Sequence, residues 1–368
     1  MNIIESNIIY ENPLPQLESK QSFFPFLCQL KSGALAAVIV IGQAFESVDS
    51  TSCITFSYDS GKTWSKPKPI FSSEETSKIT DYCKPVCLDD GRLVVIGYAY
   101  LRDDPTKPIG NPETGGTLND FVFFSSSEDE GKTWSPMKKI ECSFSPLVEA
   151  SAPITVLKDG SWITPITSFP DWEGKMHSKL CGKALISKDG GKTWDDSSVC
   201  MDFGDKPITC YEQRMCQLDS GTIVCIGWNE DTVTSERYEN HFTYSTDNGK
   251  SWSKPQSTKV LGQASSVCSL GGEKFLALHA VRRDTDRPGI YGYVIDFSSK
   301  EWNVIDSAII WEPDTPIQKD TKMAEIFSFL KFGQPGAILL EDGNVMMSHW
   351  FAKDGQYKTV ATKIEIFK

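Results

Sequence analysis

Ser57-Tyr58-Asp59-Ser60-Gly61-Lys62-Thr63-Trp64 returns three more times along the chain. The later copies are Ser127-Glu128-Asp129-Glu130-Gly131-Lys132-Thr133-Trp134, Ser187-Lys188-Asp189-Gly190-Gly191-Lys192-Thr193-Trp194 and Ser245-Thr246-Asp247-Asn248-Gly249-Lys250-Ser251-Trp252. The aspartates lie 70, 60 and 58 residues apart, a period that marks one supersecondary unit stacked repeatedly. In each copy the aspartate can accept N–H bonds within its own turn, and the glycine accepts a positive φ without steric cost. The Thr or Ser hydroxyl adds a local bond, and the tryptophan is large enough to anchor a hairpin in a core. This is hairpin chemistry rather than catalytic chemistry.

A second period supports the first. Apolar runs meet at Ser32-Gly33, Asp90-Gly91, Asp159-Gly160, Ser220-Gly221, Gly271-Gly272 and Asp342-Gly343, with the glycines stepping by 58, 69, 61, 51 and 71 residues. Six such turns predict six hairpin-based blades, at 22–71, 80–140, 149–201, 209–260, 262–311 and 332–368. In the fifth the repeat has decayed to Asp296-Phe297-Ser298-Ser299-Lys300-Glu301-Trp302. The sixth runs out after three strands, and residues 3–10 are the expected fourth strand that closes the ring. The expectation is therefore one all-β domain over 1–368, a six-bladed β-propeller of four-stranded antiparallel blades. Residues 319–330 are the best candidate for a short helix, and 102–119 for a long loop.

Composition narrows the function classes. A net charge of −12 argues against nucleic acid and anionic membrane surfaces, both of which reward basic patches. No apolar run approaches membrane-spanning length, and the N-terminus lacks a signal-peptide pattern. Eleven cysteines, many within apolar runs, suit reduced thiols and a cytoplasmic location. Cys83 and Cys87 lack a matching second pair and the four histidines form no metal motif, so neither metal nor cofactor is expected.

The pattern S-x-D-x-G-x-[TS]-W resembles the Asp-box, or BNR repeat, of the sialidase superfamily. The resemblance implies a sialidase-like propeller whose site lies where first strands begin and second strands end, opposite the Asp-boxes. Those positions here are rich in acids (Glu46, Asp49, Asp81, Glu149, Asp171, Glu212, Glu230 and Asp284), arginines and aromatics, a rim suited to a carbohydrate. Carried over by position, Asp49 answers to the family's acid/base aspartate, and Glu212 to the glutamate that partners its tyrosine nucleophile. The family's F-R-I-P opening is Ser22-Phe23-Phe24-Pro25, with Phe23 in place of arginine. Its later arginines answer to Trp228 or Asn229 and to Gln263, and its tyrosine to Phe332-Gly333-Gln334-Pro335. Losing three guanidiniums forfeits charge-assisted bonds of roughly 1.5–3 kcal/mol each, too much for ordinary sialic acid recognition.

The reading is a glycoside hydrolase acting on a terminal sugar, neutral or acidic, of an oligosaccharide. Glu212 serves as base or nucleophile partner and Asp49 or Asp81 as proton donor. Arg214, Tyr82, Tyr98, Trp228, Arg282, Arg283 and Gln334 form the expected substrate-binding set. A non-catalytic propeller that binds glycan or protein is the alternative from another class. A polysaccharide lyase, with His279 beside Arg282 or Tyr82 with Lys84, is a third.

Overall fold

Each Asp-box closes the turn between the third and fourth strands of a blade. In the first, the Ser57 hydroxyl donates to Asp59 Oδ1 (2.8 Å) and accepts from Gly61 N (2.8 Å). The Thr63 amide and hydroxyl then donate to the two carboxylate oxygens, at 2.9 and 2.6 Å. Trp64 Nε1 reaches back to the Gly61 carbonyl at 3.2 Å. The other three copies repeat this geometry. These donors hold the carboxyls of Asp59, Asp129, Asp189 and Asp247 down at about 2. The boxes also join blades, since a Cβ on Gly131 would lie 3.0 Å from Ile54 of the preceding blade, and one on Gly249 2.7 Å from Ile163.

The computed structural model describes residues 1–283, 285–314 and 331–366. They form six antiparallel sheets. Blade 1 comprises Gln21–Gln29, Leu35–Gly42, Thr51–Ser57 and Lys68–Pro69. The innermost strands of blades 2, 4, 5 and 6 are Ile79–Cys87, Tyr211–Gln217, Gln263–Gly271 and Phe332–Leu339. In blade 3 the innermost strand is split into Val148–Glu149 and Thr155–Val156. Pro153, which cannot donate to the ladder, lies in the gap. Asn2–Tyr10 pairs with Gln356–Glu365 as the outermost strand of blade 6, so both ends of the chain share one sheet.

Six apolar clusters fill the gaps between neighbouring blades. Ile54, Val38, Leu93 and Phe123 lie between blades 1 and 2, and Ile9, Leu27, Met346 and Ala361 between blades 6 and 1. A seventh cluster, of Phe23, Phe24, Tyr82, Tyr100 and Trp350, sits at the mouth. In blade 5 the decayed repeat still closes a turn, with Lys300 at a left-handed φ of 62° and its amide donating to the Phe297 carbonyl at 2.9 Å. One helical turn, Ser73–Thr76, was not anticipated; Ser72 and Glu75 form a capping box around it. The helix expected at 319–330 lies outside the described residues.

Candidate active site

Four blades carry the same backbone device near the start of the innermost strand. The first and second strands slip register between Phe23 and Phe26, Tyr211 and Arg214, Gln263 and Ser265, and Gly333 and Gly336. Within these bulges Phe24, Glu212, Ala264 and Gln334 hold φ of 52°, 46°, 38° and 45°. Such conformations cost about 1–3 kcal/mol each, and bulges re-aim the side chain they carry. The prolines after Phe24 and Gln334 supply no ladder donor, which favours the break there.

Glu212 is the centre of the resulting network. Trp228 Nε1 donates to its Oε2 at 2.8 Å, and Gln334 Nε2, from blade 6, donates to its Oε1. The Glu212 amide donates in turn to both carboxylate oxygens of Glu149 on blade 3, each at 3.1 Å. Ser151 links Glu149 to Arg214: its hydroxyl donates to Glu149 Oε1 and accepts from Arg214 Nη1 at 3.1 Å. Burial, with the nearby Glu212 charge second, pushes the Glu149 carboxyl up to about 7.

Glu46, on the loop after the second strand of blade 1, is also pushed up to about 7. Burial of its carboxyl is the main cause; Arg102 opposes the shift and Glu212 adds to it. Arg102 Nη2 holds the Glu46 carbonyl at 2.7 Å, and Arg102 Nε holds Thr80 Oγ1 at 2.7 Å, which fixes the loop against blade 2. Three cations share the mouth. Lys84 Nζ donates to the Phe24 carbonyl at 2.6 Å, and burial followed by the Arg214 charge lowers its ammonium to about 7. Arg282 Nη1 donates to the Phe332 carbonyl at 3.1 Å, and Arg214 Nη1 also holds the Gln213 carbonyl at 2.8 Å. The buried charges thus brace the bulges.

Aromatic rings run from blade 6 round to blade 4 in unbroken contact. Centroid separations are 6.1 Å for Trp350–Phe24, 5.5 Å for Phe24–Tyr82, 5.6 Å for Tyr82–Tyr98 and 6.2 Å for Tyr98–Phe169. Phe169–Tyr211 follows at 5.9 Å and Tyr211–Trp228 at 5.3 Å. The arc surrounds the charged groups and shelters them from water.

A family model described as a BNR repeat-like domain matches residues 109–288. A crystal structure of a protein of unknown function from Dyadobacter fermentans superposes with a TM-score of 0.78 at 18% identity, covering 100% of this chain and 99% of that one. A Hadza microbial sialidase gives 0.67 at 13% identity, covering 93% of this chain and 65% of that chain. NanB sialidase from Streptococcus pneumoniae gives 0.63 at 13%, with 98% and 70% covered. The chain has the six-bladed propeller fold that these sialidases share, and its middle part matches a BNR repeat-like domain. At these identities the sialidases share its fold, and the chain spans about two thirds of their length.

Within this propeller the sequence-predicted residues divide sharply. Trp228 and Gln334 both bond Glu212, and Arg214 and Tyr98 lie close enough to feel its charge. Tyr82 is buried in the aromatic arc, its hydroxyl without a partner among the described residues. Arg282 braces blade 6, whereas Arg283 is ion-paired with Glu230 at 2.9 Å. The two proton-donor candidates fall elsewhere. Asp49 is exposed and caps its own turn, accepting from Gln43 N (3.1 Å) and Ser47 Oγ (2.6 Å). Asp81 is fully buried between blades, accepting from Thr51 Oγ1 (2.9 Å) and Ser52 N (3.0 Å) of blade 1.

The acids that do occupy the mouth, Glu46 and Glu149, stand among the rim positions read from the sequence but received no role there. Strand alternation signals which rim residues exist; it carries no signal of which carboxyl is desolvated. Among the described residues no group of three or more His, Cys, Asp or Glu could hold a metal ion, and no helix is long and apolar enough to cross a membrane.

The Glu149 carboxyl makes stability depend on pH. Its folded value of about 7 exceeds the ordinary 4.5, so between these values the folded chain holds a proton that the unfolded chain has released. Stability therefore falls as pH rises across that window and levels off above it. Glu149→Gln is expected to flatten the loss between pH 4.5 and 7 by about 3 kcal/mol, read from urea unfolding at a series of pH values. An unchanged slope would place the Glu149 carboxyl in the ordinary range.

Proposed function

We propose that the protein is a glycoside hydrolase acting at the terminal sugar of an oligosaccharide. Glu46 is the proton donor and Glu212 the base, or the partner of the attacking group. In this reading Glu46 gives its proton to the glycosidic oxygen as the bond to the anomeric carbon breaks. Water attacks that carbon and its proton passes to Glu212. The observation that carries the reading is the Glu212 carboxylate, turned out by its bulge and held by Trp228 and Gln334, with Glu46 near enough for the two carboxyls to influence each other. Two carboxyls in different environments at one site are the minimum machinery for glycosidic cleavage. The aromatic arc supplies faces for a sugar ring, and the fold is shared with sialidases. Carbohydrate is thus the proposed partner, with no role for nucleic acid or membrane, and the cytoplasm is the proposed location.

The experiment is a panel of terminal glycosides, neutral and uronic, followed by free-sugar release, ultraviolet absorbance and calorimetric binding. Release of free sugar supports the reading. An absorbing unsaturated product would replace it with the lyase, and saturable binding without cleavage would replace it with a binding propeller.

A further inference from the structure

We propose that Glu149 is a positioning residue for Glu212: its carboxylate clamps the Glu212 amide and keeps that side chain displayed to the mouth. The inference rests on the role proposed for Glu212. Buried acids elsewhere in the ring also grip an amide of the adjoining blade: Asp81 takes Ser52 N, and Asp120 takes Val148 N at 3.0 and 3.2 Å. Those amides belong to residues without left-handed backbone. Glu149 differs, because the amide it holds with both oxygens belongs to a bulge residue at φ 46°. Strain of that kind persists only where the surroundings over-determine it.

The remaining partners are consistent with a clamp rather than an ion pair. Arg214 lies close enough to influence the Glu149 charge, yet its hydrogen bonds go to Ser151 Oγ and the Gln213 carbonyl. Ser151 fills one further lone pair of Glu149 Oε1. The other groups that feel the Glu149 charge are Glu212, Tyr98 and Tyr211. The three side chains that bond Glu212 therefore come from three blades: Trp228 from its own, Gln334 from the sixth, Glu149 from the third. Only the last acts on the backbone, and so on the direction in which the side chain leaves it.

The test is amide hydrogen exchange at Glu212 in the full-length chain. Glu149→Ala is expected to speed exchange there by roughly a hundredfold or more while Met215 and Cys216 stay protected, and Glu149→Gln, with one acceptor left, to lie between. Should Glu149→Ala fail to fold, Glu149→Gln decides: exchange at the wild-type rate overturns the clamp. Loosening of the whole strand in either variant also overturns it, since that is structural support alone. On any glycoside the wild type cleaves, Glu149→Ala should lower kcat with KM nearly unchanged, and Glu149→Gln should restore part of it. If the wild type cleaves nothing, the hydrolase reading fails while the exchange result still judges the clamp.

Discussion

Glu46→Gln is expected to lower kcat/KM by roughly 10²–10⁴-fold on glycosides with poor leaving groups, the range for loss of a positioned general acid. On aryl glycosides whose leaving group departs as an anion, the same variant should retain most of its activity. The asymmetry is the informative part. Glutamine keeps the volume and polarity of Glu46 and removes only the proton, so a merely structural residue would affect both substrates alike. Glu212→Gln should instead lose activity on both, because the attacking group no longer has its base whatever the leaving group is. Equal behaviour of the two variants on the two substrates would remove the division of labour. The comparison needs only a chromogenic and a natural glycoside of the same sugar.

The second large effect is structural. Gly97 lies in the second strand of blade 2, opposite Cys83, and a Cβ built there would stand 1.8 Å from the Tyr82 carbonyl oxygen. That neighbour is backbone and cannot swing aside. Gly97→Ala must therefore push apart the two innermost strands of blade 2, which carry Tyr82 and Tyr98 into the aromatic arc. The expected cost is more than about 3 kcal/mol, with loss of soluble folded protein as the extreme outcome. As a control, Gly160→Ala sits at a positive φ of 82° with nothing within 4 Å, so only backbone strain, about 1 kcal/mol, is at stake. Denaturant midpoints separate the two. Similar midpoints would show that the strands of blade 2 can relax around a methyl group.

The ring itself was legible because the signals that specify it are local. A serine, an aspartate, a glycine and a tryptophan at fixed offsets close each turn without help from distant residues, and the glycine turns mark the other end of every blade. The candidate site was legible only in part. Glu212 and Gln334 occupy equivalent bulges, and their places follow from where strands begin. Asp49 and Asp81 show what position alone leaves out. Both sit at strand ends, yet Asp49 turns Oδ1 to its own loop and Asp81 spends both oxygens on the neighbouring blade. The charges that act on Glu46, those of Arg102 and Glu212, come from residues far from it in the sequence. The cations tell the same story: Lys84 and Arg282 reach backbone carbonyls across blade boundaries, partners that no spacing rule specifies.

If Glu46 and Glu212 act together at the mouth, Glu46 keeps its proton up to about pH 7 and feels the Glu212 charge. Carbon-detected NMR of glutamate carboxyls, followed from pH 3 to 9 in the wild type and in Glu212→Gln, tests it most directly. The account requires a Glu46 midpoint near 7 that moves down when Glu212 loses its charge. A midpoint in the ordinary range near 4.5, indifferent to the substitution, would contradict it.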